Sequence, residues 1–139
     1  MSQEDVAVNH VENVTTTSRV CNFYDGQSIL ITGGTGFLGK VILEKLLRDC
    51  KGIKNIYVLL RPKSGVDPRR RIDQELTNSV VFSRIRRDSQ GLLSKIIPVS
   101  GDITFPGLGI SPTDERTLCE QVSIVFHVAA TIRFDEPLR

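Results

Sequence analysis

The chain has 139 residues, 40% of them hydrophobic and 24% charged, with a formal net charge of +2. That composition suits one soluble domain with a real core, and the charge is too small to imply a nucleic acid or other polyanion as partner. Cys21, Cys50 and Cys119 are widely spaced and form no C-x-x-C pair, so they read as reduced thiols in a reducing compartment rather than as a metal or redox motif.

Residues 1–22, rich in Thr, Asn, Val and Glu at their start, are expected to form a flexible tail, with the folded domain over 23–139. The first 20 residues lack the apolar run of a secretory leader. The longest nearly apolar stretch, Val122 to Ile132, is far short of the roughly 18 residues that a membrane span needs.

The strongest signal is Ser28 to Lys40, SILITGGTGFLGK, an apolar strand that enters a glycine-rich turn and opens onto a helix. In Gly33-x-x-Gly36-x-x-Gly39, the first glycine permits a tight turn. The second lets backbone N–H groups approach a pyrophosphate, and the third lets the helix lie close to the strand. The helix N-terminus then faces the phosphate charge. Leu38, Val41, Ile42, Leu46 and Leu47 are expected to form the buried stripe of that helix, with Lys40, Glu44 and Arg48 on another face.

A second strand, Ile56 to Leu60, follows within one βαβ length. After it, Arg61 lies about twenty residues past the glycines with Lys63 just beyond, and no carboxylate precedes Asp67. A site selective for a ribose 2′-hydroxyl places an acid here, whereas one selective for a 2′-phosphate places a base. The residues therefore favour NADP(H) over NAD(H). Arg69, Arg70 and Arg71 follow Asp67-Pro68, which reads as a helix N-cap and first helical residue, and are expected mainly to form a solvated face.

Ile72, Leu76 and Val80 recur at helical spacing, and Gly91 is expected to end this helical region. A strand near Ile96 to Val99, a loop over Gly101 to Gly109, a helix begun by Ser111-Pro112 and a strand from Ser123 to Val128 complete the pattern. The β-α-β-α-β-α-β order predicts a Rossmann-type α/β fold with a parallel sheet in the order 3-2-1-4 and right-handed crossovers. Asp102, after the third strand, can accept a hydrogen bond from an adenine amino group while Ile103 packs on the ring; the same Asp also suits a plain turn. Ala129 and Ala130, after the fourth strand, are small enough to let the nicotinamide ribose approach. His127 reads as a packed core imidazole.

The spacing of the glycine turn resembles that of extended short-chain dehydrogenases/reductases. The blocks Arg61-Pro62-Lys63, Gly101-Asp102-Ile103, Gly107-Leu108-Gly109-Ile110-Ser111 and Phe126 to Glu136, FHVAATIRFDE, together resemble the animal, particularly insect-type, fatty acyl-CoA reductases over residues 22 to 139. That resemblance implies NADPH-dependent reduction of a long-chain fatty acyl-CoA, through an aldehyde, to a primary alcohol. It further implies that Gly33, Thr35, Gly36, Phe37, Leu38 and Gly39 cradle the pyrophosphate, that Arg61 and Lys63 meet the 2′-phosphate, that Asp102 and Ile103 meet the adenine, and that Ala129 and Ala130 flank the nicotinamide. Many family members carry a C-terminal hydrophobic segment that holds them at an organelle membrane, so the resemblance implies a parent protein on the cytosolic face of the peroxisomal or endoplasmic reticulum membrane, associated through C-terminal segments absent from this sequence.

The chain departs from the family at the catalytic Y-x-x-x-K pair. Its tyrosines are Tyr24 and Tyr57, and the residues four positions on are Ser28 and Arg61. The expectation is therefore a cofactor-binding N-terminal portion of a reductase, itself without hydride-transfer machinery. The alternatives are a truncated, non-catalytic NADP-binding module and another extended reductase or epimerase.

Overall fold

The computed structural model describes residues 18–135 and 137. Residues 1–17 of the expected tail and Glu136 of the last family-like block lie outside the described residues. Strands β1 (Ser28–Thr32), β2 (Asn55–Leu60), β3 (Ile96–Ser100) and β4 (Ile124–His127) form a parallel sheet in the order β3-β2-β1-β4. The predicted architecture and strand order are both met.

The β1 strand is buried throughout because helices cover both of its faces. On one face Ile29, Ile31, Ile56 and Val58 pack with Leu43 and Leu47 of helix α2 (Phe37–Asp49) and with Ile72, Leu76, Phe82 and Ile85. On the other, Leu30, Tyr57, Leu59 and Val99 pack with Leu118 of helix α5 (Pro112–Gln121). The crossover from β3 to β4 reverses the direction of travel across the sheet, so α5 takes the opposite face from α2. A crevice opens where that reversal occurs, at the carboxyl ends of β1 and β4.

Helix α1 (Arg19–Tyr24) crosses the expected tail boundary, so residues 19–22 are helical rather than loose. Tyr24 holds it against the sheet by stacking on Phe126, with ring centroids 6.4 Å apart. In α2 the buried positions are Gly39, Leu43, Leu46 and Leu47. Leu38 and Val41, expected in the stripe, are 58% and 39% exposed. The glycine turn fixes the helix phase by seating Gly39 on the strand, which turns those two outward. The Glu44–Arg48 pair does form, at 2.8 Å.

After β2, Asp67 caps helix α3 (Pro68–Arg71) by accepting the Arg70 N–H at 3.0 Å, as predicted. A π-helical segment, Ile72–Thr77, continues it and stops at Asn78. Val80 therefore falls outside the helical register and is exposed, contrary to the expected spacing. Helix α4 (Ser83–Asp88) is followed by a 3-10 segment, Gln90–Lys95, so Gly91 lies inside a helical turn rather than ending the region. Ser111 caps α5 through the Asp114 N–H at 3.1 Å.

Candidate functional site

A cleft of about 310 Å³ lies across the carboxyl ends of the strands. The glycine turn forms its floor. Gly33 has φ +70°, and a Cβ there would come within 2.6 Å of the Ala129 nitrogen. Only glycine satisfies both constraints, so the segment after β4 can lie directly across the turn. A Cβ on Gly39 would stand 2.1 Å from the Gly33 carbonyl oxygen, which explains the tight seating of α2.

The N-terminus of α2 differs chemically from those of α3 and α5. Its N-cap is Gly36, with no side-chain cap and no acidic residue in the first turn. Its leading N–H groups thus point to the cleft without a carboxylate or hydroxyl of their own, which suits an anion.

Buried Thr32 ties the two sides of the cleft together. Its Oγ1 accepts the Ala129 N–H at 3.3 Å and lies 2.7 Å from Nδ1 of His127, its register partner on β4. His127 is exposed, not a packed core residue as expected, because β4 is the sheet edge and its outer face has no covering helix among the described residues.

At the far end, Arg61 closes the cleft, its Nε 3.5 Å from Asp102 Oδ2. The other carboxylate oxygen of Asp102 accepts the Thr104 N–H at 2.9 Å and its hydroxyl at 2.8 Å. These bonds, the backbone one foremost, with Arg61 adding to them, hold the Asp102 carboxyl below the usual carboxylate range. The carboxylate is thus an Asx turn and still presents one oxygen toward Arg61.

Arg71 lines the cleft rather than the solvated face expected for it. Its side chain is 12% exposed and grips Glu75 at 3.0 and 3.3 Å. It also donates to the carbonyl of Arg61. Arg69 is likewise engaged, donating to the carbonyl of Ile96. The signal available in sequence was the i,i+4 spacing of Arg71 and Glu75.

Of the twelve predicted site residues, Gly33, Thr35, Gly36, Arg61, Asp102, Ile103, Ala129 and Ala130 line the cleft. Lys63 instead lines an adjoining hollow of about 220 Å³ with Arg61 and Arg71. Gly39 sits beneath the turn, and the side chains of Phe37 and Leu38 are 83% and 58% exposed, so any contact they offer the cleft comes from the main chain. The cationic character extends further. Glu75 is held below its ordinary pKa first by Arg71, with Lys63 and Lys40 adding to the field.

A family model named for NAD binding and described as "Male sterility protein" matches residues 31–139. The chain belongs to this family. It is 46% identical over 117 residues to fatty acyl-CoA reductase 1 of Gallus gallus, covering 84% of this chain and 22% of that protein. It is 43% identical over 129 residues to the fatty acyl-CoA reductase wat of Drosophila melanogaster, covering 93% and 25%. The chain therefore spans about a quarter of the length of these relatives.

Among solved structures, it resembles the terminal R domain of the myxalamid biosynthetic pathway, with a TM-score of 0.62 at 31% identity over 81% of this chain and 27% of that one. The reductase domain of a Mycobacterium tuberculosis non-ribosomal peptide synthetase matches with the same TM-score at 30% identity, over 78% and 26%. The family-like blocks of the sequence and the fold thus agree on an NAD(P)-binding reductase domain.

Proposed function

We propose that this chain is the NADP(H)-binding part of a fatty acyl-CoA reductase that converts a long-chain acyl-CoA to a primary alcohol. The observation that carries the cofactor choice is the cluster of Arg61, Lys63 and Arg71 at the end of β2, where a 2′-phosphate would sit. The residues fit such a cofactor along its length. The uncapped α2 terminus would take the pyrophosphate on the main-chain N–H groups of Thr35, Phe37 and Leu38, the Gly36 N–H being donated to the Gly33 carbonyl at 3.1 Å, with Gly33, Gly36 and Gly39 keeping the floor open. Asp102 and Ile103 flank the adenine, and Ala129 and Ala130 the nicotinamide side.

When bound, the nicotinamide supplies the hydride for carbonyl reduction. The residues described here bind and orient it. Neither tyrosine serves as proton donor at the cleft, since Tyr57 is 6% exposed in the core and Tyr24 stacks on Phe126. That observation favours a second reading for the chain by itself, as a module that holds NADP(H) without turning over acyl-CoA. The parent activity would operate in a reducing compartment, on the cytosolic face of the peroxisomal or endoplasmic reticulum membrane. Among the described residues no helix is long and apolar enough to cross a membrane.

Incubating the chain with NADPH and a long-chain acyl-CoA, while measuring cofactor binding in parallel, tests both readings. Binding without alcohol formation supports the module; binding with turnover places the proton donor among residues here and refutes it.

A further inference from the structure

Sequence spacing separates Cys21 and Cys50 by 29 positions, yet the fold brings their sulfurs to 3.0 Å, with the Cys50 thiol donating to Cys21 Sγ. Both are free thiols, Cys21 half-buried on α1 and Cys50 buried at the C-cap of α2. Cys21 in turn donates to the carbonyl of Asp49 at 3.3 Å. The two sulfurs form part of the wall of an apolar groove of about 510 Å³ between α1, α2 and Phe126 of β4, wide enough to admit a small oxidant.

We propose that Cys21 and Cys50 form a peroxide-oxidisable dithiol whose disulfide staples α1 to the far end of α2. The sulfurs must close by only about 1 Å to reach disulfide length. Their unequal environments set the order of events. Burial, reinforced by the hydrogen bond to Cys21, pushes the Cys50 thiol up to about 11, so Cys50 is a poor first nucleophile. The better exposed Cys21 reacts first.

In the first step the Cys21 thiolate attacks one peroxide oxygen, the O–O bond breaks, and the departing hydroxide takes up the thiol proton as water, leaving a sulfenic acid. In the second, Cys50 sulfur attacks the Cys21 sulfur, the S–O bond breaks, and hydroxide leaves with the Cys50 proton as a second water. Two thiols and one hydrogen peroxide thus give one disulfide and two waters. Cys119 is exposed on α5, the helix whose Leu118 packs on the opposite face of the sheet, so it takes no part and is an internal control.

The bond closes a loop that contains β1, the glycine turn and α2, and so restricts the unfolded chain while leaving the turn free. With 13 residues in α2, the thiols lie roughly 20 Å from the phosphate end of the helix.

The test is titration of the reduced 139-residue chain with hydrogen peroxide, followed by intact-mass and peptide mapping under non-reducing conditions. The expected result is loss of two hydrogens per chain, a cross-link between the Cys21 and Cys50 peptides, and reversal by dithiothreitol. Cys119→Ser should behave identically, and Cys50→Ser should stop at a dimedone-reactive Cys21. The oxidised chain should melt more than about 5 °C above the reduced one. Full alkylation of both Cys21 and Cys50 after peroxide treatment, or cross-links solely between chains through Cys119, would overturn the proposal.

Discussion

Arg61 Nε stands 3.5 Å from Asp102 Oδ2, so one side chain from the end of β2 and one from the end of β3 meet across the mouth of the cleft. The Arg61 side chain is 68% exposed, so solvent screens the pair and it adds little stability. A phosphate dianion can therefore recruit the guanidinium at little cost, exchanging one carboxylate partner for a stronger acceptor. Replacing Arg61 with Ala is expected to weaken NADPH binding by about 10- to 100-fold while changing NADH binding less than about twofold. Fluorescence titration of both cofactors against wild type and variant measures this, and equal losses for both cofactors would refute the role.

Acid should act on the same end of the cleft. The carboxyls of Asp102 and Glu75 are both held below their ordinary values, by Thr104 and by Arg71 respectively. A carboxyl depressed in the folded state contributes stability above its unfolded pKa, near 4, and loses that contribution as pH falls through the folded value. The melting temperature of wild type should accordingly drop as pH falls below about 4, and Asp102→Asn should show a shallower acid limb. Parallel slopes in a pH series of thermal melts would contradict the assignment.

The seat of α2 on the glycine turn is the most sterically demanding contact of the site. Because a Cβ at residue 39 would meet the Gly33 carbonyl oxygen at 2.1 Å, Gly39→Ala must displace either the turn or the helix. The expected cost is about 1–3 kcal/mol or more of stability, with cofactor binding abolished. Denaturant unfolding together with a cofactor titration checks both effects.

Thr32 offers a gentler perturbation. Thr32→Val keeps the shape of the buried side chain but leaves the Ala129 N–H without its acceptor and His127 without its partner. A loss of about 1–3 kcal/mol is expected, largely recovered by Thr32→Ser, which restores the hydroxyl.

Strand order and the glycine turn were legible in sequence because each rests on local chemistry: apolar runs for buried parallel strands, and glycine where a Cβ cannot fit. Helix caps at Asp67 and Ser111 were legible for the same reason, since cap and acceptor lie within three residues. What stayed hidden depends on contacts between distant segments. The phase of α2 is set by Gly39 against Gly33, the inward turn of Arg71 by the Arg61 carbonyl, and the meeting of Cys21 with Cys50 by a helix that begins before the expected domain boundary. His127 departs from the packed-core expectation because its exposure depends on β4 being a sheet edge, which no local pattern reveals.

That edge has a further consequence. Val125 is 60% exposed on β4, beside backbone groups with no neighbouring strand among the described residues. An apolar open edge favours strand pairing between copies. The 139-residue chain is expected to self-associate at micromolar concentration, and Val125→Lys should shift it toward monomer. Sedimentation velocity distinguishes the outcomes, and a sharp monomer boundary for the unsubstituted chain would dismiss the idea.

We propose, above all, that the cleft is built for a dinucleotide carrying a 2′-phosphate. Isothermal titration of this chain with NADPH and with NADH tests it most directly. Saturable one-to-one binding of NADPH is expected, at least about tenfold tighter than that of NADH. Binding of neither cofactor, or equal or tighter binding of NADH, would contradict it.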